Sequence, residues 1–197
     1  KGGIMKKYLL LIAAFALLFA PSANAALTNF QTFTAEGANV SIDAVGLLDN
    51  VEGIVSAEIP AAATIEAAFL YSASVGYAGN NLYDVVFEGT TLTSNAASQL
   101  DVGPKDGNNW VSENRWDVTS IVDTKYDGLG GTYDFSVTEK GYLDGEILAV
   151  LYSVSGGDIQ TAFIFDGELA TTGDTFNINL GDPYDGSSDA TFSLGIS

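Results

Sequence analysis

The chain has 197 residues, among them 25 Asp and Glu, seven Lys and Arg, and no Cys or His, which gives a formal net charge of −18. Such a charge disfavours nucleic acid and anionic membranes as partners and favours cations. The lack of Cys and His excludes disulfides, thiol chemistry, histidine general bases and every metal site built on those residues. With 47% hydrophobic and 11% aromatic residues, the composition is nevertheless that of a folded protein.

The first predicted element is a secretory signal peptide. Lys6-Lys7 precedes the apolar run Tyr8–Ala20, and the tripeptide Ala-Asn-Ala that ends at Ala25 has the small-residue pattern of a cleavage site. A transmembrane anchor, the alternative, needs about 20 apolar residues, whereas this run is interrupted at Pro21. We therefore expect upstream residues and a signal peptide that starts at Met5 and is cleaved after residue 25. Four basic and 25 acidic residues then remain, so the mature net charge is −21.

Short strands separated by turns rich in Gly, Asn and Asp are predicted for the rest of the chain. Thr64–Val75 is ambiguous, because its alanines favour a helix while its aromatic and β-branched residues favour the strand that we predict. A brief helical turn is expected after Asp117, whose carboxylate can cap free amides. In chain order the predicted strands are Phe30–Thr34, Asn39–Leu48, Ile54–Ile59, Thr64–Val75, Tyr83–Glu88, a return through Leu92, Tyr133–Thr138, Ile147–Tyr152, Thr161–Phe165, Phe176–Leu180 and Thr191–Ile196.

This pattern of strands predicts an all-β, antiparallel, jelly-roll-like β-sandwich, because no strand–helix–strand repeat is present. Ile147–Tyr152 is apolar at every position, which is typical of a central strand buried on both faces. Ser94–Trp110 is predicted to be a long irregular loop. We expect residues 26–197 to form one domain. Because the last predicted strand runs to the end of the chain, we also expect a C-terminal truncation that removes any anchor or sorting signal.

Several short motifs occur in the same order as in a known family. They are Ala67–Tyr71, Val85–Gly89, Trp116–Thr119 with Ile121-Val122, Gly131–Tyr133, Asp144–Glu146 running into Leu148–Tyr152, and Phe163–Gly167. In these motifs the chain resembles an uncharacterised β-sandwich domain of secreted and cell-surface proteins. Such domains occur in archaeal surface proteins and in bacterial proteins with exosortase-type (PEP-CTERM-like) sorting signals. The resemblance implies a surface location and supplies no catalytic residues.

Loops that combine Asp with Gly are the candidate cation sites. Clustered carboxylates and turn carbonyls supply the oxygen ligands that calcium prefers, although no loop has the full spacing of an EF-hand. The alternative is that Asp-Gly pairs form ordinary turns. Calcium is the one cofactor that the sequence suggests. The candidate ligands are first Asp182, Asp185 and Asp189, and then Asp101 and Asp106.

Aromatic residues near loops are the candidate glycan contacts, because flat rings can stack on sugars. Trp110 lies between polar neighbours and is the best candidate, whereas Trp116 adjoins an apolar turn and is predicted to pack in the core. Tyr126 and Tyr142 also lie near turns, with packing as the favoured interpretation.

Catalysis is disfavoured. Ser and Thr lack a histidine base, and a glycosidase needs two carboxylates about 5–10 Å apart. Asp144, Glu146 and Asp166 flank central strands, but turn formation explains them.

The sequence thus predicts a secreted, acidic, non-catalytic β-sandwich with a structural or adhesive role at the cell surface or in the extracellular matrix. The alternative is a carbohydrate-binding module of an extracellular protein. The expected partners are a cell-surface glycan or further copies of the chain. Neither nucleic-acid binding nor, once the signal is cleaved, membrane insertion is expected.

Overall fold

The computed structural model describes residues 27–47, 51–77, 83–104, 109–167 and 191, with the side chains of 75–77, 101–104 and 109–111 excepted. The strands are β1 Thr28–Glu36, β2 Asn39–Val45, β3 Glu52–Ile59, β4 Thr64–Tyr77, β5 Val85–Phe87, β6 Thr90–Leu92, β7 Gln99–Pro104, β8 Asn109–Asp117, β9 Gly131–Glu139, β10 Gly145–Ser153 and β11 Ile159–Asp166. One helix, α1, spans Thr119–Lys125 in this part of the chain. No helix among the described residues is long and apolar enough to cross a membrane.

Two antiparallel sheets form the body of the molecule, with strand orders β2-β10-β4-β8-β7 and β3-β9-β5-β6. The chain alternates between them, because β2, β4, β7–β8 and β10 lie in one sheet and β3, β5–β6 and β9 in the other. The pairs β2–β10, β3–β9, β4–β8 and β5–β6 are those of one long antiparallel ribbon folded over on itself. This is the connectivity of a jelly roll. The predicted all-β, jelly-roll-like sandwich is confirmed.

A third layer covers the outer face of the five-stranded sheet. β1 and β11 pair with each other antiparallel and contribute Phe30, Phe33 and Ile164 to a second hydrophobic core against that face. On β10, Leu148 faces the interior between the two large sheets, whereas Leu151 faces the β1–β11 ribbon. This arrangement explains why the sequence of β10 is apolar on both faces, as predicted.

Two uncertain segments of the sequence are strands. Thr64–Tyr77 forms β4, at the centre of its sheet, and the helical alternative is excluded. The prediction of an irregular loop over Ser94–Trp110 is wrong in part, because this segment contains β7 and the start of β8. Pro104 is tolerated there because β7 is an edge strand. The strands predicted at 176–180 and 191–196, like the signal peptide, lie outside the described residues except for Thr191.

The helical turn after Asp117 is confirmed. The carboxylate of Asp117 accepts a hydrogen bond of 2.9 Å from the Thr119 amide. Val118, which immediately precedes α1, and Val122, within it, are fully buried and pack against the core. The short helix therefore closes one end of the sandwich, which we call the lower end. At the opposite, upper end, β4 and β9 end and β5 and β10 begin.

Candidate functional site

The interior of the sandwich changes from apolar to polar toward the upper end. Directly opposed residues of β10, β4 and β8 share a face, and the next residues on that face lie two positions along. One such row consists of Leu148, Leu70 and Trp116. The next row toward the upper end consists of Glu146, Ser72 and Asn114, all of which are buried. The three neighbouring strands thus place a carboxyl, a hydroxyl and an amide where apolar side chains would continue the core.

The opposite sheet contributes a second carboxyl. On β9, Phe135 and Val137 belong to the hydrophobic core, and Glu139 is the next residue on the same face. Glu139 is 6% exposed and Glu146 is fully buried, and the two carboxyls are close enough for the charge of Glu139 to act on Glu146. We call Glu139, Glu146, Ser72 and Asn114 the polar core end.

Several atoms of the polar core end have no hydrogen-bond partner among the residues that the structure describes. They are Oγ of Ser72, Nδ2 of Asn114, Oε1 of Glu139 and both carboxyl oxygens of Glu146. A buried polar atom without a partner costs free energy, and nearly all such atoms in folded proteins are paired with protein, water or an ion. Five unpaired atoms on four neighbouring side chains therefore indicate a place that is built to hold something polar.

Burial and mutual repulsion both act on the two carboxyls. Burial raises the pKa of Glu146 to about 8, and the charge of the Glu139 carboxyl adds to this. Burial also raises the pKa of Glu139 to about 7, with a further contribution from the charge of Asp144. Near neutral pH the pair consequently retains a proton, because two carboxylates this close cannot both ionise without a compensating charge.

Hydrogen bonds to the neighbouring loop hold the Asn114 side chain in place. Its Oδ1 accepts hydrogen bonds of 2.7 Å and 3.2 Å from the hydroxyls of Ser94 and Ser98. The Ser94 amide in turn donates to the carboxylate of Asp84 at 2.9 Å. One row above, the hydroxyls of Ser74 and Ser112 share a hydrogen bond of 2.6 Å. The partnered side of Asn114 thus faces the loop, and only its Nδ2 is unpaired.

An exposed aromatic residue lies on the surface of the upper end. Tyr142, in the turn between β9 and β10, is 84% exposed, and its ring lies edge-on to Tyr83 with centroids 6.4 Å apart. Gly141 is required there, because a Cβ at this position would lie 1.9 Å from the Tyr83 ring. The turn is therefore packed on Tyr83 and projects Tyr142 into solvent.

The structure places the predicted site residues as follows. Asp182, Asp185, Asp189 and Asp106 lie outside the described residues. Asp101 is on β7 opposite Glu113, and Trp110 is on β8 opposite Gly76, and in both cases only the backbone is described. Asp101 and Trp110 both belong to the hairpin that extends toward the upper end. In the part of the chain that is described, no group of three or more Asp, Glu, His or Cys is arranged to hold a metal ion.

Other predicted roles can be compared with the described side chains. Trp116 packs in the core as predicted, and its Nε1–H donates to the Thr93 carbonyl at 3.0 Å. The assignment of Glu146 and Asp166 to turns is wrong. Glu146 is buried within β10, and Asp166 ends β11 and pairs with Arg115.

The polar core end as a unit was not predicted from the sequence. One signal was present, because Glu139 continues the alternation of Phe135 and Val137 on β9. Nothing local in the sequence shows that Glu139 and Glu146, seven residues apart around a turn, lie on facing sheets.

A second surface feature, near the lower end, is an open groove of about 520 Å³. It is lined by Glu88, Thr90, Ser120, Ile121, Thr124 and Lys125. The ammonium of Lys125 and the carboxylate of Glu88 form an ion pair across it at 3.0 Å. The two charged side chains of the groove thus neutralise each other, and the upper end is the better candidate site.

Comparison with known proteins identifies no relative: no protein-family model matches the chain, and no curated protein and no solved structure is significantly similar to it. The resemblance to a surface-domain family therefore stays a prediction, and function is argued from the upper end itself.

Proposed function

We propose that the protein is a secreted, non-catalytic module with an adhesive role at the cell surface or in the extracellular matrix, and that its upper end is the contact surface. The observation that carries the proposal is the display of Tyr142, an almost fully exposed aromatic ring on a turn packed against Tyr83. Tyrosine is enriched at the centres of protein interfaces because it offers a large, rigid contact area.

The turn that carries Tyr142 is pre-organised. Its first residue, Lys140, donates from its amide to the Asp84 carbonyl at 3.0 Å, and its last, Asp144, donates to the Ala73 carbonyl at 2.8 Å. The flanking strands β9 and β10 each have neighbours on both sides. A contact residue on such a turn loses little conformational entropy when it binds, which favours affinity.

The non-catalytic part of the proposal is supported by the burial of the carboxyl pair. Glu146 has no exposed surface, so a sugar ring or another substrate of similar size cannot reach it. The pair therefore does not have the accessible arrangement that glycoside hydrolysis requires.

A carbohydrate-binding module is the second candidate, and the location of Trp110 favours it. The backbone of Trp110 lies in the hairpin that extends toward the end that carries Tyr83 and Tyr142. The strong negative charge favours a neutral glycan over an acidic one.

Binding of the purified full-length protein to immobilised cell-envelope material and to neutral polysaccharides tests both candidates. We expect Tyr142→Ala to weaken binding at least about tenfold, the loss typical of a residue at the centre of an interface. Leu129→Ala is the matched control, because Leu129 is also exposed but follows α1 at the lower end. Equal binding by both variants would contradict the proposed contact surface.

Competition then separates the candidates. If free oligosaccharide displaces the protein and Trp110→Ala also weakens binding, the module recognises carbohydrate. If oligosaccharide has no effect and light scattering shows concentration-dependent oligomers that Tyr142→Ala abolishes, the adhesive contact is between copies of the chain.

A further inference from the structure

The polar core end has more acceptors than donors. The four carboxyl oxygens of Glu139 and Glu146 converge from the two sheets, and three of these oxygens have no partner. Ser72 is the direct cross-strand neighbour of Glu146, so their Cβ atoms are about 5 Å apart. Its buried hydroxyl is also unpartnered. The arrangement is an all-oxygen cluster enclosed by the two sheets.

Among the described residues, no positive charge acts on these carboxyls. The charges that act on them are those of Asp144 on Glu139 and of Glu139 on Glu146, and all of these are negative. Removing an uncompensated carboxylate from water costs several kcal/mol. A bound cation would supply the missing charge and would satisfy the unpaired oxygens at the same time.

We propose that the polar core end binds a single calcium ion, held between the carboxylates of Glu139 and Glu146 with the hydroxyl of Ser72 as a further ligand. The carboxylates can supply up to four oxygens and the hydroxyl one. Calcium takes six to eight oxygens at about 2.3–2.6 Å, so one to three water molecules complete its shell. The unpaired Nδ2 of Asn114, at the end of the same row, donates to one of these waters.

Calcium fits this donor set better than the other common metals. Zinc and copper prefer nitrogen and sulfur ligands, and the cluster contains no His or Cys. Magnesium requires near-ideal octahedral geometry and retains most of its waters, whereas calcium accepts bidentate carboxylates in irregular geometry. None of its ligands belongs to the Asp-Gly loops predicted from the sequence, and the site does not depend on the adhesive role.

Thermal unfolding of the full-length protein tests the proposal, with calcium, with equal magnesium and with a chelator. A ligand specific to the folded state raises the melting temperature. At about 100 times Kd a rise of about 5–10 °C is expected for a domain of this size. Glu146→Gln preserves the shape of the side chain and removes its charge. This variant should melt at least as high as the wild type in chelator and should lose the rise with calcium.

A triple variant, Asp182→Asn with Asp185→Asn and Asp189→Asn, is the control for the predicted loops, and the rise with calcium should persist in it. Titration calorimetry of the wild type should give one site, and Ser72→Ala should weaken it about tenfold. The proposal is overturned if the wild type shows no rise with calcium, if Glu146→Gln retains it, or if only the triple variant loses it. If Glu146→Gln fails to fold, the calcium affinity of Ser72→Ala tests the proposal instead. A calcium affinity equal to that of the wild type overturns it.

Discussion

The carboxyl of Glu146, on β10, faces the carboxyl of Glu139, on β9, across the interior of the sandwich. Two positions along each strand toward the lower end, the corresponding residues are Leu148 and Val137, both fully buried in the hydrophobic core. The two sheets thus meet through apolar side chains over most of their length and through acidic ones at the upper end. We therefore expect the stability of the fold to depend on pH in a way that an apolar core would not.

The first prediction concerns pH. In chelator, the free energy of unfolding should fall as pH rises from 5 to 8.5. The pKa values of Glu146 and Glu139 in the folded state, about 8 and about 7, lie above those of an unfolded chain. A raised pKa means that the folded state binds protons more tightly than the unfolded chain does. The contribution of these two protons to the free energy of unfolding is therefore complete below about pH 4.5 and is lost as the pH rises through 7–8.

Urea unfolding at several pH values measures this loss, which we expect to be several kcal/mol, because each unit by which a pKa is raised contributes about 1.4 kcal/mol. The chain has no His or Cys, so apart from the α-amino group little else titrates in this range. Glu146→Gln should flatten the profile. If this variant and the wild type gave parallel profiles, another group would be responsible for the pH dependence.

The second prediction concerns the attachment of the β1–β11 ribbon to the sheet. The guanidinium of Arg115, on β8, lies 3.3 Å from the centroid of the Phe30 ring on β1 and pairs with Asp166 at the end of β11. The hydroxyl of Tyr71 donates to the same carboxylate at 3.2 Å. Arg115→Met should destabilise the protein by about 1–3 kcal/mol, because it leaves a largely buried carboxylate without its counter-charge.

Lys125→Met provides the comparison for Arg115→Met. The Lys125–Glu88 pair has about the same chemistry, but the side chains are 37% and 25% exposed, against 22% and 10% for Arg115 and Asp166. Loss of the Lys125–Glu88 ion pair should lower the free energy of unfolding by less than about 1 kcal/mol. Urea unfolding gives both values, and hydrogen exchange should show faster exchange of β1 and β11 amides in Arg115→Met alone. Equal losses would mean that Arg115 does not fasten the ribbon.

The third prediction concerns Trp116. Its ring is 8% exposed in the core, and its Nε1–H donates to the Thr93 carbonyl. Trp116→Phe should remove the hydrogen bond and leave a cavity, with a loss of about 1–3 kcal/mol in urea unfolding. Fluorescence provides a second readout, because the buried indole should contribute the blue-shifted part of the emission. Emission that keeps this part in Trp116→Phe would show that the buried indole is that of Trp110.

The sequence predicts the fold well where one face of a strand is buried. Alternation in β9 and the unbroken apolar run of β10 follow directly from burial on one face and on two faces. Local sequence patterns fail to predict a strand where its formation depends on pairing with strands that are distant in the sequence. The β7–β8 hairpin is rich in Gly, Asn and Asp, but it is paired to β4, and β8 gains more from that pairing than its composition suggests.

The candidate site is less predictable, because it depends on contacts between sheets. Glu146 follows a Gly and precedes an apolar run, so local rules assign it to a turn. Its burial depends on the register of β10 with β4, in which Ser72 is its partner, and on the position of Glu139 in the other sheet. Tyr142 could be recognised as a residue in a turn, but its exposure depends on how Gly141 packs on Tyr83.

The final prediction concerns Tyr126, whose hydroxyl fixes the turn between β3 and β4. The hydroxyl donates to the Pro60 carbonyl at 2.7 Å and accepts from the Ala63 amide at 2.8 Å. Tyr126→Phe keeps the ring and removes both hydrogen bonds, so we expect a loss of about 1–2 kcal/mol in urea unfolding with an unchanged m-value. Tyr142→Phe removes an equivalent hydroxyl from an exposed ring and should change stability by less than about 0.5 kcal/mol. If the two variants were equally stable, water would replace the two hydrogen bonds of the Tyr126 hydroxyl without a loss of free energy. The turn would then be held by its backbone alone.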